Sequence, residues 1–211
     1  MGELTPELLM RAYAMGVFPM AEHRDDPEIF WVDPIHRGIF PLDLFHISRS
    51  LARSIRRANY NLTLNQNFEG VLDGCANRRE TWINAKIRNL YNSLYNNGQA
   101  HSIEVWEGPH LIGGVYGVTL GAAFFGESMF SRRTDASKIA LAFLVEHLRR
   151  CGFILFDTQF LTEHLITLGA VEIPRESFKK LLNEAIQREA DLMSQSLPSV
   201  SDVLQRKTQT S

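Results

Sequence analysis

The chain has 211 residues, 45% hydrophobic and 22% charged, with a formal charge of −2. That suffices for one well-buried domain with a small accessory lobe, and it excludes disordered and collagen-like classes. A near-neutral balance gives no global attraction to nucleic acid, so such a partner needs a local patch, and no apolar run approaches the roughly 20 residues of a membrane helix.

Thr5 is placed to cap a helix that starts at Pro6, with Glu7 in its first turn. Leu8, Leu9, Ala12 and Tyr13 form its apolar face, Gly16 ends it, and Phe18-Pro19-Met20 follows as an apolar turn. Residues 21–28 read as a polar loop, and Phe30-Trp-Val-Asp-Pro34 as a short extended piece closed by proline. We read residues 1–37 as a small N-terminal lobe. The first residues are acidic and lack the basic and apolar regions of a signal peptide. Cys75 and Cys151 are far apart and outside any Cys-x-x-Cys. Both points lead us to expect a cytoplasmic protein with reduced thiols.

Residues 46–58 form an amphipathic helix, with Ile47, Leu51 and Ile55 on one face and Arg49, Arg53 and Arg56 opposite. Asn61–Leu64 reads as a strand, Phe68–Cys75 as a helix, and Ile83–Tyr95 as a helix ended at Asn97-Gly98. Ser102–Trp106, Leu111–Leu120 and Ala122–Ser128, joined by tight turns, predict an antiparallel meander. Ser137–Arg150 is a largely apolar helix, and Phe153–Asp157 is a strand of a sheet interior. A short helix over Thr162–Leu168, a stop at Gly169 and a last helix over Ser177–Leu192 close a catalytic domain of residues 38–193. Residues 194–211 are expected to be a frayed polar tail.

The chemistry concentrates in two segments. Gly126-Glu-Ser-Met-Phe-Ser-Arg132 and Phe156-Asp-Thr-Gln-Phe160 each set acidic or amide groups at the end of an apolar run. A strand–helix–strand unit would bring Glu127, Asp157 and Gln159 together at the lip of a hydrophobic pocket. With no metal-ligand set and no Ser–His pair, those groups suit acyl transfer by positioning and hydrogen bonding. His101 and His164 lack partners at catalytic or metal spacing and are read as structural hydrogen-bonders. The element order is that of an α+β, GNAT-like acyltransferase. By itself this order carries no function, and a CoA-dependent acyltransferase is one rival. No Gly-rich loop opens the Ser137 helix, where a CoA pyrophosphate would need backbone N–H groups.

The chain resembles the leucyl/phenylalanyl-tRNA–protein transferase family from about Leu4 to Leu182. The resemblance is carried by Leu9-Met-Arg-Ala-Tyr13, Gly16-Val-Phe-Pro19, His46-Ile-Ser-Arg-Ser50 and Thr81-Trp-Ile83. It continues through Ala100–Trp106, Gly113-Gly-Val-Tyr-Gly117, Gly126–Arg132, Asp157-x-Gln159, His164–Ala170 and Glu172-Ile-Pro-Arg175. It implies transfer of Leu or Phe, and Met more weakly, from aminoacyl-tRNA to proteins with N-terminal Arg or Lys, marking them for N-end rule degradation. Aminoacyl-tRNA is then a co-substrate, with no cofactor, no metal, no membrane and no DNA.

The resemblance also places residues. Gln159 would accept a hydrogen bond from the acceptor amine, Asp157 would orient Gln159, and Glu127 would hold the cationic acceptor end. Val115, Phe124, Met129, Leu144 and Phe156 fall on the aminoacyl pocket. Trp82 and Trp31 are candidates to stack on the terminal adenosine, and Arg49, Arg53, Arg56 and Arg57 to track tRNA phosphates. One departure is Met20, where many members carry Trp after the Phe-Pro pair.

Overall fold

In the computed structural model, residues 4–57 and 59–205 are described. The expected helix end at residue 58 and the last part of the expected tail, residues 206–211, lie outside them. The chain opens with α1 (Pro6–Ala14), where Thr5 Oγ1 accepts from the Leu8 N–H at 3.2 Å. Phe18-Pro19-Met20, expected as a turn, is a strand, β1. It pairs antiparallel with β2 (Phe30–Val32) in a separate two-stranded ribbon.

The main elements follow: β3 (His36–Phe40), α2 (Arg49–Arg57), β4 (Asn61–Leu64), α3 (Phe68–Ala76), α4 (Ala85–Asn96), β5 (Ala100–Glu107) and β6 (His110–Leu120). Then come β7 (Ala123–Ser131), α5 (Ala136–Arg150), β8 (Leu155–Gln159), α6 (Glu163–Ile166), β9 (Val171–Pro174), α7 (Arg175–Ile186) and α8 (Val200–Gln205). One seven-stranded sheet runs β4-β5-β6-β7-β8-β3-β9. Its neighbours are antiparallel except β7 and β8, which run parallel and are joined through α5. The fold class is α+β with a mixed sheet.

Because successive strand residues point to opposite faces, the sheet divides two cores. Val115, Phe124 and Phe156 face α2 and α5, with Leu51, Ile55, Leu141 and Leu148. Tyr116 and Phe125 face the layer of α1, α3, α4 and α7, with Tyr13, Leu72, Tyr91 and Phe178.

Three expectations change. β3 and β9 are strands that the sequence reading lacks, and β3 carries the chain from the β1–β2 ribbon into the main sheet between β8 and β9. The last long helix stops at Ile186 rather than Leu192. Part of the expected tail is helical, with α8 over Val200–Gln205. Val203 in α8 is fully buried, and Val200 and Leu204 pack beside it on the α2–α5 core. Those apolar residues share one helical face, and the Ser- and Gln-rich surroundings hide it.

Candidate active site

β7 and β8 pair only over Ala123–Phe125 and Leu155–Asp157, then separate. A pocket of about 610 Å³ opens next to the split. Both strands are irregular there. On β7, Tyr116 pairs with Ser128 and Gly117 with Gly126, so Glu127 is the extra residue of a bulge. On β8, Gly38 pairs with Gln159 and Ile39 with Asp157, leaving Thr158 extra. Bulges re-aim side chains at a sheet edge or split, and here each one borders a polar group. Gly38 is needed beside the second bulge: a Cβ there would meet Thr158 Oγ1 at 2.7 Å and the Phe160 backbone at 2.9 Å.

Glu127 turns toward the helical layer. Its Oε1 accepts from Tyr13 Oη at 2.7 Å and from Gln159 Nε2 at 3.0 Å, and its Oε2 accepts from Tyr91 Oη at 2.6 Å. The two hydroxyls also touch each other at 2.7 Å. Burial pushes the Glu127 carboxyl up to about 7, against the pull of the two tyrosine hydrogen bonds, and the nearby Asp157 charge raises it further. Burial and the Glu127 charge in turn hold both tyrosines well above their ordinary range.

Asp157 is fully buried and lies behind the pocket wall rather than on it. It is held by Arg37, through Nε to Oδ1 at 2.8 Å and Nη2 to Oδ2 at 2.6 Å. Arg37 is itself buried, donates through Nη1 to the Gly16 carbonyl, and lies between the rings of Phe18 and Phe178 at 4.6 and 4.4 Å. Asp157 Oδ1 accepts the backbone N–H of Gln159 at 2.9 Å. Gln159 sits at φ +58°, a left-handed conformation sparsely used by residues other than glycine and common at functional sites. Asp157 therefore fixes the Gln159 backbone, while Glu127 fixes its carboxamide. The expected link from Asp157 to Gln159 thus runs through the Gln159 backbone N–H, not its carboxamide. With Nε2 given to Glu127, the Gln159 carbonyl oxygen is left as an acceptor at the pocket wall.

Of the expected aminoacyl-pocket residues, Val115, Met129 and Phe156 line the wall. Phe124 and Leu144 do not. Phe124 stacks edge-on behind Phe156, with ring centroids 5.2 Å apart, and Leu144 is core on the buried side of α5. One turn nearer the start of α5, Leu141 takes the wall position instead. Trp82 lines the pocket and packs edge-on against Tyr91, and Met20 lines it from the β1 side. Trp31 sits elsewhere, half-exposed in a second groove between α1 and α4. Arg49, Arg53, Arg56 and Arg57 are exposed on α2 and form no ion pair among the described residues. Ser54 on the same helix donates to Asp135 at 2.7 Å, tying α2 to the start of α5 beside the pocket.

Sequence reasoning missed Arg37, Tyr13 and Tyr91 as site residues; a lone arginine before the apolar Gly38-Ile-Phe40 was the available signal for the first. His101 is a structural partner of Asn65 (2.9 Å). His164 is not so satisfied: it lines the pocket, its Nε2 is buried without a partner among the described residues, and burial together with Lys138 lowers its basicity. Both cysteines are free and buried, and burial pushes the Cys75 thiol up to about 12.

The sequence model described as leucyl/phenylalanyl-tRNA protein transferase matches residues 39–183, and that of the same family's N-terminal domain matches residues 2–35. Leucyl/phenylalanyl-tRNA–protein transferases of Ruegeria pomeroyi and Roseobacter denitrificans are each 62% identical over 99% of this chain and 99% of their own length. Among solved structures, FemX matches at a TM-score of 0.51 and 11% identity, over 82% of this chain and 70% of that one, a likeness of fold alone. The chain belongs to the leucyl/phenylalanyl-tRNA–protein transferase family of aminoacyltransferases.

Proposed function

We propose that the chain transfers Leu or Phe, and Met more weakly, from charged tRNA to the α-amine of proteins that begin with Arg or Lys. The product is tagged for N-end rule degradation in the cytoplasm. The observation that carries this reading is the 610 Å³ pocket, apolar along Val115, Met129, Leu141 and Phe156, with Gln159 and Glu127 on its wall. An antiparallel meander feeding a helix and a parallel strand also supports a GNAT-like architecture for the domain. No cofactor enters the reaction; aminoacyl-tRNA is a co-substrate.

The ester is already activated, so alignment supplies much of the rate, on the order of 7–11 kcal/mol in good cases. The α-amine has a pKa near 8, which leaves a neutral fraction to attack the ester carbonyl. A C–N bond forms, the C–O bond to the ribose breaks, and the amine proton ends on the ribose oxygen. Gln159 accepts a hydrogen bond from the amine and fixes its approach; a neutral amide is too weak a base to do more. Glu127 locks that amide and, once ionised, balances the positive charge of the acceptor. Asp157 acts through the Gln159 backbone. Trp82 and Met20 flank the terminal adenosine, and the α2 arginines meet the acceptor stem.

The test is transfer of radiolabelled Phe or Leu from charged tRNA to a peptide beginning with Arg, beside the same peptide beginning with Ala. Label on the Arg peptide alone supports donor, acceptor and reaction together. No label on either peptide, with the tRNA intact and charged, would overturn the reading.

A further inference from the structure

Two arginines at the pocket have no carboxylate partner among the described residues. Arg78, in the loop after α3, donates through Nη2 to the Met129 carbonyl and, at 3.4 Å, to Ser128 Oγ. Arg132, just past β7, donates through Nη1 to the Leu111 carbonyl at 3.2 Å and lies 5.4 Å from the Phe130 ring. Both are exposed and both border the pocket. Of the neighbouring cations, Arg88 pairs with Glu69 and Asp73, and Arg133 with Glu107.

Bonds to neutral acceptors pin the two guanidinium groups without cancelling their charge. Each keeps its Nε and one terminal nitrogen without a partner among the described residues. The result is a pair of fixed, unneutralised cations beside a cavity whose wall is otherwise mostly apolar, with Trp82 four residues along the chain from Arg78.

We infer that Arg78 and Arg132 bind the 5′-phosphate of the nucleotide whose ribose carries the aminoacyl ester. The inference rests on the reading of this pocket as the donor site. With the amino-acid side chain in the cavity and the base against Trp82, the nearest anion on the donor is that phosphate. A planar guanidinium fork matches two phosphate oxygens better than a point charge does. These contacts are separate from those of the α2 arginines, which are placed for the acceptor stem.

The test compares two short donors, phenylalanyl-adenosine esterified on the ribose and the same compound with a 5′-phosphate, using an Arg-leading peptide as acceptor. The readout is the ratio of kcat/KM between the two donors, in wild type and in the R78Q/R132Q protein. A loss of folded enzyme cannot move that ratio, because both donors suffer alike. We expect the phosphate to raise kcat/KM roughly tenfold or more in wild type, as charge-assisted hydrogen bonds would, and the advantage to disappear in the double variant. An advantage that survives the substitutions, or equal use of both donors by wild type, overturns the inference and leaves the pocket reading standing. If neither short donor reacts while charged tRNA does, the pocket reading itself falls, and this inference with it.

Discussion

Arg37 and Asp157, 120 residues apart in the chain, form a two-point ion pair with both side chains sealed from solvent. The pair ties β3 and the end of α1, through Gly16, to the strand that presents Gln159. Removing one partner of such a pair strands a buried charge, which costs about 3–5 kcal/mol, whereas replacing both by apolar groups is often neutral. Arg37→Met should therefore lower stability by that amount in urea unfolding. Arg37→Met with Asp157→Leu should regain most of it and stay inactive, since the Gln159 N–H has lost its acceptor. Recovery of activity in the double variant would show that Asp157 has no positioning role.

Glu127 predicts a pH signature. Its carboxyl is raised to about 7 in the fold, against about 4.3 in an unfolded chain. Between those values the native state keeps a proton that the unfolded state has released. This contribution is therefore fully present below about pH 4, is lost as pH rises toward 7, and is flat above. Glu104 is also raised by burial, so the readout is the difference between wild type and Glu127→Gln in melting temperature across pH 4–8. The wild type should fall more steeply over this window; parallel curves would mean that Glu127 titrates normally.

Tyr13 and Tyr91 stabilise the Glu127 anion by donating to it. Tyr13→Phe removes one donor, so the carboxyl should ionise at a higher pH. If ionised Glu127 balances the acceptor cation, the rising limb of kcat/KM against pH should move up in the variant while the fold stays intact. A lower plateau with an unmoved limb would assign Tyr13 to packing alone.

The strand–helix–strand unit could be read from the sequence because its apolar runs end abruptly in polar residues. Phe153–Phe156 precedes Asp157, and Phe124-Phe125 precedes Glu127. What closes the site could not be read. Tyr13 lies 114 residues from Glu127 in sequence and looks like one more apolar position on an amphipathic helix. β3 was missed because Arg37 breaks its apolar run, and that arginine becomes intelligible only once Asp157 stands opposite. Trp82 stands in the Thr81-Trp-Ile83 motif and Trp31 in none, and the β1–β2 ribbon carries Trp31 to another groove. α8 was hidden by its polar composition, since three apolar residues on one face are visible only when the helix is assumed.

Salt and charge should separate the α2 surface from the pocket. The four arginines from Arg49 to Arg57 are exposed and free of ion pairs among the described residues, as a phosphate-tracking face requires. Arg53→Glu with Arg56→Glu should raise KM for charged tRNA and flatten its dependence on ionic strength, with little change in kcat. Phenylalanyl-adenosine, which has no acceptor stem, should be used by the variant as by wild type. A collapse of kcat with KM preserved would contradict the assignment.

The layering of the apolar wall predicts which substitutions alter donor choice. Val115 borders the cavity, whereas Leu144 lies one helical turn behind Leu141 and makes no part of the lining. Val115→Phe adds bulk where the larger donor side chain must sit, so the kcat/KM ratio of Phe to Leu should fall about tenfold or more, within the roughly 10–200-fold that pocket volume can discriminate. Leu144→Ala removes core volume instead. It should cost about 2–5 kcal/mol in unfolding and leave the Phe-to-Leu ratio within about twofold. If Leu144→Ala shifts the ratio as strongly as Val115→Phe, the cavity extends past Leu141 to the sequence-expected position, and the division between wall and core drawn from this geometry is wrong.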